Sequence, residues 1–309
     1  MGKKRLKHYG MCDASAGIAL GNDKFAAAND EDNYIKIFDA HQSGKYTGII
    51  DAGEYFRTAA GQSEADIEGV SEIDGVIYWI TSHGRDSEGN IEAPRFHFFA
   101  NTISLENGAF THAQVGTSYI NLLADLKADP RYKKYKLHKA ERIPPKEKGG
   151  LNIEGLSATP DKRLLIGFRN PIRKGKALIV PVNNPAAVLR GEKMIFGDPI
   201  EIKLKSRGIR SIEYWPSRKE YIIVAGAYYS GGKFGIYRWS GKPGKKPKRL
   251  KGLKIKSLNP EGIVIYPDIN DKFQILSDDG NIVRKNGLCK KLCDDDPGKY
   301  FRSLWVKVS

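Results

Sequence analysis

Asn152-Ile153-Glu154-Gly155 opens an apolar run, and the same shape recurs at Asp66-Ile67-Glu68-Gly69 and Asn259-Pro260-Glu261-Gly262. Behind each tetrad come a β-type run, a turn, a second apolar run and a polar cluster. From Glu154 the chain passes the turn Pro160-Asp161 and Leu164-Leu165-Ile166 to reach Phe168-Arg169-Asn170. From Glu68 it passes Asp74-Gly75 and Val76-Ile77-Tyr78-Trp79-Ile80 to reach Ser82-His83-Gly84-Arg85. From Glu261 it passes Asp268–Asp271 and Phe273-Gln274-Ile275-Leu276 to reach Ser277-Asp278-Asp279-Gly280. Two further units fit the frame. One opens at Ala16-Gly17-Ile18-Ala19-Leu20, and the other, Ile209-Arg210-Ser211-Ile212, has arginine in the glutamate's place.

A four-stranded antiparallel unit repeated about five times, with its inner strands buried on both faces, predicts an all-β fold, a β-propeller. The count becomes six if residues near 52–65 or 117–150 supply another blade. Outer strands are expected at Ala177–Val182, Phe234–Trp239 and Leu304–Val308. Unit starts at residues 16, 68, 154, 210 and 261 are evenly spaced except after the second, where an insertion over 117–150 is expected. There Ser118 is placed to cap a short amphipathic helix carrying Ile120, Leu123 and Leu126, stopped by Pro130 and followed by a basic stretch, Arg131 to Lys148. Residues 1–309 are thus expected to form a single propeller domain with 117–150 inserted in it.

Bulk composition agrees with that architecture. Hydrophobic residues at 40% suffice for a packed core, and 33 glycines with 15 prolines favour short strands joined by turns. A net charge of +15 favours acidic partners. No stretch approaches the roughly 20 apolar residues of a membrane span, and Met1–Lys7 has no apolar segment behind it, so no membrane and a cytoplasmic setting are expected. Three cysteines, Cys12, Cys289 and Cys293, are expected as free thiols. The other arrangement, one bridge to Cys12, needs the two chain ends to adjoin.

In a propeller the inner strands line the axial channel, and their first positions form a ring: Ala16, Glu68, Glu154, Arg210 and Glu261. Beside them stand Asp66, Asn152 and Asn259. Three carboxylates with amide oxygens make a hard, oxygen-rich set suited to Ca²⁺. The competing reading is architectural, with the glutamates holding neighbouring blades together and Arg210 neutralising part of the set. A second layer comes from the turns after the second strands: Asp30, Asp32, His83, Arg85, Arg169, Asn170, Tyr228, Asp278 and Asp279. Arg85, Arg169 and Arg210 suit an oxyanion, and His83 suits proton transfer. Two basic runs stand apart from the channel. Lys242 to Lys256 forms one, and Lys133, Lys134, Lys136 and Lys139 form another, interleaved with Tyr132 and Tyr135 as if to stack on bases.

Further motifs extend the repeat: Asp13-Ala14-Ser15-Ala16-Gly17-Ile18, Asp30-Glu31-Asp32-Asn33, Leu165-Ile166-Gly167-Phe168-Arg169-Asn170-Pro171 and Gly208-Ile209-Arg210-Ser211-Ile212-Glu213. In their order, and with the tetrads, the chain resembles the bacterial domain-of-unknown-function 3616 family over nearly its whole length. That name carries a fold and no activity. A looser similarity runs to phytase-like and gluconolactonase-type propellers, where an inner-strand Glu-Gly and channel Asn and Asp residues hold a divalent cation. By that pattern Glu68, Glu154, Glu261, Asn152 and Asn259 carry over, and Arg210 departs from it. The leading expectation is therefore a metal-assisted hydrolase of a phosphorylated or lactone-like small molecule. The alternative is a non-catalytic module that binds an acidic ligand, a protein segment or, through the basic loops, nucleic acid.

Overall fold

The apolar runs behind the tetrads become second strands: Lys24–Asn29, Val76–Thr81, Leu164–Asn170, Glu220–Gly226 and Lys272–Ser277. Beyond its first residue each is buried throughout, which is why it reads as a continuous apolar run with no alternation. A computed structural model describes residues 5–29, 31–56, 64–106, 108–253 and 255–308. Each second strand lies between an inner strand and a third strand, and five antiparallel sheets result.

Blade 1 runs outward through Ala14–Leu20, Lys24–Asn29, Tyr34–Asp39 and Gly48–Asp51. Blade 2 is Ile67–Ile73, Val76–Thr81, Phe98–Glu106 and Ala109–Gln114, and blade 3 is Asn152–Ala158, Leu164–Asn170, Ala177–Val182 and Ile200–Ile202. Blade 4 is Gly208–Trp215, Glu220–Gly226, Gly235–Trp239 and the two-residue edge Lys248–Arg249. Blade 5 is Pro260–Val264, Lys272–Ser277 and Tyr300–Lys307, completed by Arg5–Tyr9 from the other end of the chain with Gly44–Lys45 beyond it. The closing strand, a charged-looking Arg5-Leu6-Lys7-His8-Tyr9, is absent from the sequence reading. Its signal was the alternation that buries Leu6 and His8 while Arg5 and Lys7 face out.

The core is divided among the blade interfaces. Five apolar clusters are present among the described residues, one at each junction. Trp79 and Ile35 meet between blades 1 and 2, Leu156 and Phe98 between 2 and 3, and Ile209 and Ile179 between 3 and 4. Trp215 and Phe273 meet between 4 and 5, and Phe25 and Phe301 between 5 and 1. The glycine behind each glutamate allows this approach: a Cβ on Gly155 would stand 2.9 Å from Ile212 Cγ2 of the next blade.

Three expectations change. The inserted helix spans Leu122–Ala128 and buries Leu122, Leu123 and Leu126, while Ile120 lies outside it, 59% exposed. Ser118 does not cap it: Phe98 and Tyr119 form a β-bridge that keeps this stretch extended, and the Ser118 hydroxyl bonds His97 Nδ1 at 2.6 Å. Beyond that bridge, residues 122–140 are short helices and 3₁₀ turns and 141–150 are turns, so 117–150 supplies no sixth blade. In the other candidate stretch Ala52–Tyr55 is a 3₁₀ turn, and residues 57–63 lie outside the described residues. The third change concerns the thiols. Cys12 and Cys289 form a disulfide, because closing the ring brings residues 277 apart in sequence to a Cα separation of 5.9 Å; Cys293 is free and exposed. Among the described residues no helix is long and apolar enough to cross a membrane.

Candidate functional site

Every inner strand breaks register with its neighbour at the same place. Pairing steps from Ile67 to Gly69, Ile153 to Gly155, Ile209 to Ser211, Pro260 to Gly262 and Ala14 to Ala16, leaving one residue unpaired each time. Those five bulged residues are Glu68, Glu154, Arg210, Glu261 and Ser15. A bulge re-aims its extra side chain, and here five bulges at one level build the ring. Blade 1 therefore contributes Ser15 where Ala16 was expected. The Ser15 hydroxyl donates to Ile67 O of blade 2 at 2.5 Å, a direct tie between blades.

The four charged members are buried. Arg210 Nε stands 3.0 Å from Glu154 Oε2, and Arg210 Nη2 pairs with Glu261. Arg169 Nη1 donates to Glu154 Oε1 at 2.6 Å, and Asn152 Nδ2 donates to the same oxygen at 2.7 Å. Arg169 Nε is occupied by Ala227 O at 3.0 Å. Glu154 and Glu261 are thus ion-paired. Glu68 has no hydrogen bond or ion pair among the described residues. Burial first, then the charges of Glu154 and Asp66, push its carboxyl well above the ordinary range, and Arg210 and Arg169 only partly oppose this.

Below the ring the axial channel is lined by all five blades, through Ala16, Glu68, Glu154, Leu156, Glu213 and Ile263. Glu213 was quoted above only as part of a motif. Burial pushes its carboxyl well above the ordinary range, against hydrogen bonds from Ser71 and Ser157, and its buried Oε2 has no partner. Two further carboxyls escaped the sequence reading. Asp13 is pushed up to about 9 by burial, then by the charge and hydrogen bond of Asp278, to which its backbone is also bridged. Glu64 is pushed up to about 7 by burial and Asp66.

Other predicted residues take up positions around the mouth. Asp66, in the left-handed region at φ 55°, pairs with Arg95 Nη1 at 2.5 Å. Asn259 Nδ2 donates to Asp278 O at 3.1 Å. Arg85 is turned outward: Nε donates to Glu141 O at 2.7 Å and Nη1 to Gly89 O at 2.8 Å, so it anchors the insertion. Asn170 does the same through Pro145 O and Glu147 O. His83 is fully buried, Nδ1–H donating to Thr81 O at 2.9 Å, with Nε2 unpartnered and burial lowering its pKa to about 4. Asp279 is held by Arg302 and Arg284, Asp32 accepts from the Tyr34 amide, Tyr228 is half-buried, and Asp30 lies outside the described residues.

As a metal cage the predicted set fits poorly. Among the described residues no three His, Cys, Asp or Glu side chains stand close enough together to hold an ion. Both oxygens of Glu154 and one of Glu261 face guanidinium groups, and Asn152 Oδ1 is a buried acceptor with no partner among the described residues. The stacking surface fails as well. Tyr132 and Tyr135 are buried, their hydroxyls donating to Gly197 O at 2.7 Å and Glu201 at 3.0 Å.

The sequence model described as "Protein of unknown function (DUF3616)" matches residues 102–258, just over half of the chain, from the third strand of blade 2 to the approach to blade 5. No curated protein matches. Among solved structures, one described as YCF48 bound to D1 peptide is 13% identical with a TM-score of 0.35; it covers 93% of this chain, and this chain spans 61% of its length. The PQQ-bound form of aldose sugar dehydrogenase from Streptomyces coelicolor is 12% identical with a TM-score of 0.46, covering 98% of this chain and 99% of that one. A bifunctional GH43-CE protein of Bacteroides eggerthii is 10% identical with a TM-score of 0.48, covering 100% and 34%. Likeness at this level says nothing of what the present channel binds.

Proposed function

We propose, from the premise that this chain belongs to the DUF3616 family of proteins of unknown function, that its channel is a hydrolytic site for a small neutral ester of the lactone type. The observation that carries this is a pair of neighbouring buried glutamates in opposite surroundings. Glu68 has no ion pair among the described residues and its carboxyl is pushed well above the ordinary range, which favours the neutral form, while Glu154 is ion-paired to Arg169 and Arg210. Surroundings that differ in this way push the two carboxyls apart in acidity, which leaves Glu68 as the proton donor.

In the proposed reaction water adds to the lactone carbonyl carbon and the ring C–O bond breaks. The departing ring oxygen takes the Glu68 proton, and the proton shed by the water restores it. Glu154 is a positioning residue: its charge helps keep Glu68 protonated, and it accepts hydrogen bonds from Asn152 and both arginines. A phosphorylated substrate suits the channel less well, because Arg169 and Arg210 already face carboxylates. His83, tied to Thr81 O, is outside this scheme. Ca²⁺ has no part in it either, since Glu154 and Glu261 carry guanidinium partners.

The test is turnover of a panel of aldonolactones and aryl esters by the purified chain, with and without EDTA. Hydrolysis that resists EDTA, falls at alkaline pH as Glu68 ionises, and drops about 10²–10⁴-fold in Glu68→Gln is expected. Turnover that requires an added divalent cation would return the metal-assisted mechanism. Ligands that raise the melting temperature with no turnover would make the channel a binding module.

A further inference from the structure

No acidic residue stands between Glu220 and Glu261, while ten lysines and arginines do. This stretch forms most of blade 4 and the link to blade 5. Lys242, Lys245, Lys246, Lys248, Arg249 and Lys251 are all exposed, and none of the six is ion-paired among the described residues. The basic residues of the insertion differ: Lys127 pairs with Glu141, Arg131 with Asp129 and Lys134 with Glu201. Like charges crowded on one edge repel, and the fold provides no counter-charge there.

Protection of a sheet edge explains only part of this. Lysines on a short edge strand deter edge-to-edge pairing, and Lys248–Arg249 is such a strand, hydrogen-bonded to Tyr237–Arg238 alone. That accounts for two positions. The others, Lys242, Lys245 and Lys246 in the loop before the strand and Lys251 after it, extend the exposed positive charge beyond the edge strand as a basic band.

We propose that this band docks on the phosphate backbone of double-stranded nucleic acid. Phosphates at regular short spacing match a row of lysines, and contact with them needs no reading of bases. No aromatic side chain lies between Trp239 and Tyr266, so the band has nothing on which to stack unpaired bases, and a duplex is favoured over a single strand. Binding is sequence-independent and separate from the channel.

Fluorescence anisotropy with a short duplex DNA of mixed sequence, titrated from about 50 to 200 mM salt, tests this. A log–log salt slope of about −4 or steeper is expected, at about −0.9 for each phosphate contact. Replacing Lys245, Lys246, Lys248 and Arg249 by glutamate should weaken binding at least tenfold and flatten the slope, with the melting temperature and any channel turnover unchanged. Alanine versions of the same four test whether lost positive charge alone weakens binding. Absence of binding at low salt, or binding indifferent to both sets of variants, would overturn the proposal. So would charge-sensitive binding to phosphatidylserine vesicles or heparin with none to the duplex.

Discussion

Deleting the Arg210 guanidinium would leave Glu154 short of one partner and Glu261 with no ion pair among the described residues, both buried. Breaking a buried pair from one side costs about 3–5 kcal/mol, so Arg210→Met should lower the unfolding free energy, read from denaturant titration, by that much. Glu68→Gln replaces a carboxyl that burial favours in its neutral form, and its cost should stay under about 1 kcal/mol. If the two variants prove equally damaging, Glu68 is ionised and ion-paired in solution. Asp13 gives a pH signature. Its folded value, about 9, lies above the ordinary 3.8. The folded state therefore holds a proton that the unfolded state has released, and stability from this group falls as pH rises between those values. Asp13→Asn should raise the melting temperature by a few degrees at pH 8 and leave it unchanged near pH 3. At this scale the sequence showed Glu68, Glu154, Arg210 and Glu261 plainly, because they repeat in one frame. Ser15 was displaced by one residue because an apolar pattern does not reveal a bulge, and a slip of one reverses the face. Glu64 and Glu213 carry no repeat to mark them, and Asp13, which stands two residues before its bulge as Asp66, Asn152 and Asn259 do, was hidden by the same displacement of one.

Among the elements, the insertion and the disulfide depend most on what lies far away in sequence. Arg85 and Asn170 hold residues 141–147 against the mouth through carbonyl oxygens. Arg85→Ala should raise amide exchange across 137–150 with little change in the channel, which hydrogen-exchange mass spectrometry can read. Reducing the Cys12–Cys289 bond frees a long loop in the unfolded chain. A loss of about 3–5 kcal/mol is expected by the chain-entropy account, visible as a lower midpoint on adding a phosphine reductant. The helix at Leu122–Ala128 was legible from its Leu123 and Leu126 stripe and from Pro130. Its start was not, because Ser118 is taken by His97, a partner on a strand of blade 2. Tyr132 and Tyr135 misled for a similar reason. Lysines beside them suggested solvent, whereas packing of the insertion on blade 3 buries the rings.

For the whole molecule, five blades were readable because each second strand holds a buried, largely apolar run and three of the five inner strands start with the same tetrad, which sets the frame for the other two. The closure was not, because Arg5–Tyr9 is short and charged at alternate positions. Deleting residues 1–9 should expose Tyr300–Lys307 as a bare edge, and light scattering should then show dimers or larger species where the intact chain gives a discrete mass.

That last strand pairing also orders events during synthesis. Blade 5 needs Arg5–Tyr9 and Tyr300–Lys307, and the second is made only after all four other blades. Four blades can assemble as they leave the ribosome, yet Arg5–Tyr9 must wait for its antiparallel partner until Tyr300–Lys307 has emerged, with only the two-residue pairing to Gly44–Lys45 within reach. A stalled or truncated product would present both an orphan strand and an open ring to the cell's quality control, whereas a finished one presents neither.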